Sequence, residues 1–586
     1  MKMRHCLALA AVVLTALLAF SKQQEPAEAQ GTAVPQVNVP YTSTTENSPG
    51  GIAGTERAIF WFGKVGPTTD NYADVRIIHN DEKLHVTVHV IDRLLYYQKD
   101  PATNEMSNWD AVSLYLDMVG TPGTTPATTA YKFVGQVSWN EDRSTGAYDA
   151  AYQGNGSSWT AVTIPFETVT GWQGQGFNNQ SRDHGWNITF RIPYSSLGLN
   201  GRPASGTQWK IALVVHDNDG GSAIPDKTWP PTMTDGNPAT WANLVFGLPN
   251  YTPPAGISAA GTTTIRHGLN GAVVTDGHVG GDTTCAANID PNFWELWGSQ
   301  NYANDYEVNV QNQWNLGDFP CFSKYYVTFP LDQIPTNKVI LNATLTLQQF
   351  GNSNQGGSYP GDPPDSLIQV LTVQDSWQEN SITWNNAPLA VENVARTWVY
   401  PLPPGPPYPN VPREWDLSYA VARAYEAGQN DIKLVLYSAD SNLHSGKYFR
   451  SSESNDPSAR PMLTVTWGDN DGFTLSLDSP VAYVGGAGGH QFTIDVARTG
   501  AFNSTVTTAV SNPSPSEVSV QVSGGTLTPP GQIQVTLTDL HPASFTGSRI
   551  YVVPVQVSGG GVTQSVTLIL VVNGEQIFLP VVFANN

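Results

Sequence analysis

The sequence predicts an all-β protein made of three consecutive β-sandwich domains, and three observations lead there. Only 13% of residues are charged, while Gly (54) and Pro (43) are plentiful. An average domain carries about 25% charged residues, and a chain of many short strands joined by turns departs from it in this direction. Apolar residues also recur at period two, as in Leu84, Val86, Val88 and Val90 set against His85, Thr87 and His89, so each such strand buries one face. Finally, 586 residues with 40% hydrophobic and 10% aromatic content can fill several cores and suit about three or four domains.

The elements follow in chain order. Lys2 and Arg4 precede a weakly polar to apolar run from Leu7 to Phe20, and Ala27-Glu28-Ala29 follows it; this is the layout of a secretory signal peptide over residues 1–29. The run falls short of the roughly 20 apolar residues of a membrane-crossing helix, and no later stretch approaches that length. The mature chain is therefore expected to be secreted, with no membrane insertion. Residues 30–40 read as a polar linker.

A first sandwich is expected over 41–250, with strands at Leu84 to Val90, Asp110 to Asp117 and Lys210 to Val215, closed by the Pro-rich boundary Leu248 to Pro254. A second is expected over 260–467, with strands at Tyr325 to Phe329, Ala343 to Leu347, Leu367 to Leu371, Ile432 to Leu436 and Met462 to Trp467. Its proline-dense stretch Pro401 to Pro412 predicts an extended surface loop. Ser418 to Ala427 predicts a short helix stopped by Gly428. A third, over 472–574, alternates Phe492, Ile494, Val496 and Ile533, Val535, Leu537 with polar residues and fits an immunoglobulin-like sandwich. Residues 575–586 form an apolar tail, read as an edge strand or a sorting signal.

With Cys6 inside the leader, Cys285 and Cys321 remain, and in an oxidising compartment they are expected to form one disulfide. The net charge of −21 opposes phosphate backbones and anionic membrane surfaces, so nucleic acid is excluded as a partner. A surface rich in Asn, Gln, Ser, Thr and Trp suits a polysaccharide.

Two stretches resemble known families. Val75 to Val88, Trp109 to Asp117, Phe190 to Gly198 and Pro238 to Leu244 follow one another as in family 9 carbohydrate-binding modules, which the first module resembles. In the second module, Tyr326 to Leu331, Ile340 to Leu347, Trp377 to Pro388, Glu414 to Ser418, Phe449 to Glu453 and Arg460 to Val465 resemble the DNRLRE domain, also classed as carbohydrate-binding module family 96. The resemblance implies a β-sandwich with a role in polysaccharide attachment. The third module is similar to the Ig-like spacers of bacterial surface proteins.

A sugar offers flat C–H patches and a rim of hydroxyls, so its site wants an exposed aromatic platform beside polar side chains. Trp109 and Trp241 flank the matched motifs of the first module, and the family 9 resemblance implies that two aromatics clamp a sugar; Asp110 and Asn237 are the neighbouring hydroxyl partners. Trp377 and Trp384 stand seven apart around a turn in the second module, accompanied by Glu379 and Glu453. Core packing is the competing role for all four tryptophans.

Asp217-Asn218-Asp219-Gly220 echoes the start of a calcium loop, although the twelfth position is Thr228 where an EF-hand needs a bidentate Glu. Asp217 and Asp219 remain the candidate ligands of a structural calcium. His85 and His89 lie about 13 Å apart along a strand, too far for one metal, and are expected on its outer face. No Gly-x-Ser-x-Gly, His-Glu-x-x-His or phosphate loop occurs. Three sandwiches also leave no segment of about 250 residues for a catalytic barrel. The expectation is a secreted, non-enzymatic protein that attaches to extracellular or cell-wall glycan and docks at the cell surface. A structural or adhesion protein without sugar recognition is the first alternative, and a polysaccharide-degrading enzyme the second.

Overall fold

The computed structural model describes residues 33–574 apart from 46–55, 68–70, 103, 140–142, 144–147, 221–222, 255–256, 282, 284–291, 313–320, 354–362, 404–408, 441–444 and 501. The expected signal peptide, the apolar tail, Cys285 and much of the proline-dense loop lie outside the described residues. Among those described, no helix is long and apolar enough to cross a membrane. The expected all-β class holds, and the short helix forms at Ser418–Glu426 with Gly428 in the left-handed region (φ 67°) beyond it.

The first two modules share one 13-stranded sheet. Its first half holds Ala111–Asp117, Ala130–Gln136, Asp149–Gly154, Trp159–Val162, Gln208–Asn218, Ala223–Trp229 and Ala242–Phe246; its second half holds Thr275–Gly280, Ser323–Pro330, Ser366–Val373, Ala390–Val399 and Asp431–Ser438. Gln36–Val39 joins them. It runs parallel to Ala242–Phe246 on one side and meets Ala390–Val399 through Gln36 and Glu392 on the other. This corrects the reading of 30–40 as a linker: Asn38 is buried and exchanges hydrogen bonds with Asn393 in both directions, at 2.8 and 2.9 Å.

A five-stranded sheet, Ala58–Gly63, Tyr72–His79, Lys83–Ile91, Glu167–Gln173 and Gly185–Pro193, lies between the two halves. Its inner face, with Phe60, Val75, Val86 and Val88, packs on the first half. Its other face, with Ile59, Trp61, Tyr72 and Ile91, packs on Tyr326, Leu367, Val435 and Tyr437 of the second half. A six-stranded sheet that includes Ala259–Arg266, Lys338–Asn352 and Met462–Asp469 covers the outer side of the second half. The second-half strands are thus buried on both faces, which is why Leu434-Val435-Leu436-Tyr437 reads as a continuous apolar run.

Residues 472–574 form a separate core between a four-stranded and a five-stranded sheet. Phe492, Ile494, Val496, Ile533, Val535 and Leu537 all lie in that core, as their alternation predicts. Val481–Val484 pairs parallel with Val562–Val572, and the other pairs of this module are antiparallel.

Candidate functional site

The chain leaves the strand Lys83–Ile91 through Asp92 to Tyr97 and reaches a 3-10 turn, Met106–Asn108, that delivers Trp109 and Asp110 to the start of Ala111–Asp117. Asp110 is fully buried. One of its carboxylate oxygens accepts from the Tyr96 N–H at 2.7 Å and the other from the Asn218 N–H at 3.0 Å. It therefore ties three distant segments together rather than facing a ligand. Asp183 acts similarly, accepting from the N–H groups of Leu95, Gln175 and Gly176. Gly174, at φ +153°, has to be glycine there, because a Cβ would come within 2.0 Å of the Asp183 carboxylate.

These ties shape a depression of about 420 Å³ lined by Tyr96, Tyr97, Gln98, Lys99, Trp109 and Asn178. Trp109 is half-buried on its wall. Tyr97 continues into an aromatic run: Phe177 lies 5.1 Å from it, and Trp172 and Trp139 lie 4.9 and 5.8 Å from Phe177. Trp139 leaves 45% of its surface in solvent. Partly accessible indole and phenol rings beside an amide and an ammonium can stack on a sugar's C–H face and pair with its hydroxyls. Trp139 was missed from the sequence; its signal is an indole opening a polar, turn-rich stretch after a strand.

Behind the depression lies an aspartate cluster. Asp92, Asp217 and Asp219 each offer a carboxylate oxygen within 4.8 Å of the others. One oxygen of each is buried without a hydrogen-bond partner. Arg93 approaches Asp219 at 3.3 Å. Burial, reinforced by repulsion from Asp217, Asp110 and Asp219, raises the Asp92 carboxyl well above its ordinary range. Burial and Asp219 push Asp217 up to about 7. The sequence pointed to Asp217 and Asp219. Asp92 stands apart in the chain with no motif around it.

The other expected residues fall elsewhere. Trp241 is not an exposed platform: it is fully buried, 5.4 Å from Tyr115 and stacked on Trp159. It does not meet Trp109 either. Ala242, beside Trp241, pairs with Ile211, and Ala111, near Trp109, pairs with His216, which puts the two sites about 16 Å apart along one strand. Asn237 caps the turn Pro238–Thr240, accepting from the Ala239 N–H.

Trp384 is buried between the modules, with its ring 3.4 Å from the Lys324 Nζ. Trp377 is half-buried against Tyr326. Glu379 accepts from the Asn304 N–H and Glu453 from the Ser452 hydroxyl, both structural contacts. His85 and His89 are buried, not outward, because their strand face is turned toward the second module. Cys321 is half-buried, and its expected partner lies outside the described residues.

No curated protein matches the chain in sequence. Among solved structures, a family 9 carbohydrate-binding module from Caldicellulosiruptor kristjanssonii in complex with cellotriose aligns at 16% identity and a TM-score of 0.25, over 37% of this chain and 100% of that one. The same organism's module in complex with glucose aligns at 17% identity and a TM-score of 0.25, with the same coverage. Domains 4 and 5 of the S-layer protein SbsC align at 17% identity and a TM-score of 0.14, over 19% of this chain and 59% of that one. Residues 295–467 match carbohydrate-binding module family 96, the family that the motifs of the second module resemble, so this multimodular chain carries a carbohydrate-binding module at its centre.

Proposed function

We propose that the chain is a secreted, non-catalytic polysaccharide-binding protein that attaches to extracellular or cell-wall glycan, and that the Trp109 depression together with Trp139, two ring contacts from Tyr97, is one binding face. The observation that carries this reading is the half-buried Trp109 ring in a depression edged by Gln98, Lys99 and Asn178, with the exposed Trp139 indole linked to it through the buried Phe177. The family 96 match of residues 295–467 supports a polysaccharide as that partner. Two linked modules with weak sites would also gain avidity on a repeating polymer.

Affinity electrophoresis over a panel of neutral and acidic polysaccharides tests it. At least one polymer should retard the chain, and Trp139→Ala and Trp109→Ala should each weaken that retention by about tenfold or more with the far-UV spectrum unchanged. No retardation by any polymer would favour a purely structural or adhesion role, and new reducing ends after long incubation would favour an enzyme.

A further inference from the structure

We propose that Asp92, Asp217 and Asp219 hold a divalent cation of the calcium type, and that this ion fixes the segment Asp92 to Tyr97 as one wall of the Trp109 depression. The ordering of the wall for glycan rests on the reading of that depression given above; the cation site itself does not.

Four features lead to the ion. The donors are carboxylate oxygens only, with no His or Cys among them, a set that suits hard cations rather than zinc or copper. Two oxygens bound to one calcium at about 2.3–2.6 Å can be no more than about 5.2 Å apart, and the three aspartates offer oxygens within 4.8 Å. Asp92 is only 2% exposed and Asp217 only 7%, yet Asp92 Oδ2, Asp217 Oδ1 and Asp219 Oδ1 have no hydrogen-bond partner. Buried polar atoms are ordinarily paired, so three unpaired carboxylate oxygens within one cluster point to a cation as their partner. Lastly, the other Asp92 oxygen already accepts from the Leu94 N–H, and both Asp110 oxygens are taken by N–H groups. Asp110 therefore adds negative charge beside the ion without ligating it, and two cations, Arg93 at Asp219 and Lys227 acting on Asp217, face four carboxyl groups.

The coupling to the wall is short. Asp92 directly follows the end of one strand and Asp217 and Asn218 end another, so like charges push the two ends apart unless a cation sits between them. The Arg93 carbonyl accepts from the Asp183 N–H and the Tyr96 N–H donates to Asp110. Whatever holds Asp92 in place therefore also places Tyr96 and Tyr97, whose rings line the depression.

The test uses the full mature chain stripped with EDTA and dialysed. Calcium chloride is titrated by calorimetry, with magnesium chloride as comparator. Thermal unfolding and hydrogen exchange over peptides spanning 92–99 are followed with and without calcium. The expected result is saturable calcium binding with a dissociation constant between about 10⁻⁶ and 10⁻³ M, a melting rise of at least about 3 °C, and slower exchange at 92–99. Asp92→Asn and Asp219→Asn should each lose all three responses; the second, at the more exposed carboxylate, keeps the test open if the first fails to fold.

The absence of both saturable heat and a melting shift at about 10 mM calcium would overturn the site. Calcium binding with unchanged exchange at 92–99 would overturn the wall. If calcium binds and slows exchange while no polysaccharide retards either form, the cation site stands and the glycan reading of the depression falls.

Discussion

Replacing Trp384 with alanine separates a sugar platform from an inter-module core. The indole is 4% exposed and stands 4.5 Å from the Trp297 ring and 4.8 Å from that of Tyr72. Its ring is the nearest of four around the buried Lys324 ammonium, at 3.4 Å, followed by Trp61, Tyr72 and Tyr437 at 4.4, 4.6 and 5.0 Å. Burial pushes the Lys324 ammonium well below its usual range, so each ring that faces it offsets part of the lost hydration. Truncating a buried tryptophan costs about 3–5 kcal/mol, and losing the closest desolvated cation–π contact adds roughly 1–2 kcal/mol. A loss of about 4–7 kcal/mol is a large part of a typical stability of roughly 5–15 kcal/mol. For a unit the size of two joined modules it lowers the melting temperature by about 5 °C. Scanning calorimetry of wild type and Trp384→Ala measures this, with polysaccharide retention read in parallel at a temperature where both are folded. An unchanged melting temperature together with lost retention would refute the core assignment and restore the platform.

Further outcomes follow from the same packing. His79 is buried against Tyr41 and Phe246, and burial, with Arg202 second, lowers its pKa from 6.5 to about 4. The native state then binds fewer protons than the unfolded one between those values, so stability is present above pH 6.5 and is lost as pH falls toward 4, by at most about 3 kcal/mol. His79→Phe should flatten that acid limb in urea titrations across pH; an identical limb would assign it to other groups. Asn38→Leu removes the bonds that the Asn38 amide donates to the Asn393 carbonyl and to Glu392 and the one it accepts from Gln36, while the two backbone bonds of residue 38 with the Asn393 side chain remain. It leaves buried polar groups unpaired at a cost of about 2–4 kcal/mol and should broaden or split the joint calorimetric transition of the first two modules. An unchanged single transition would count against the splice. Gly280→Ala, at φ +101° with a Cβ 2.2 Å from the Phe322 carbonyl, should cost about 2 kcal/mol or more in denaturant midpoint, and a neutral result would contradict the geometry.

Features with a local signature were legible in the sequence. Period-two alternation located the strands around Val86, Leu114, Leu345 and Val535, all core residues, because which face a strand buries is written in neighbouring residues. The helix ending before Gly428 and the Asp217 to Asp219 turn were equally local. What only the tertiary structure decided depends on residues far apart in the chain. Gln36–Val39 is too short and too polar to announce itself, and becomes a strand because Ala242–Phe246 and Glu392 complete its hydrogen bonds.

His85, Thr87 and His89 follow the pattern of a solvent face, yet are buried. Alternation reports polarity, and an inter-module surface that pairs its ions and hydroxyls, as Tyr437 does with Asp74, can be as polar as one facing water. Trp384 and Trp139 are the same residue type with opposite fates. An indole is core or platform according to what packs over it, and Asp92 joins Asp217 and Asp219 only because two strand ends converge.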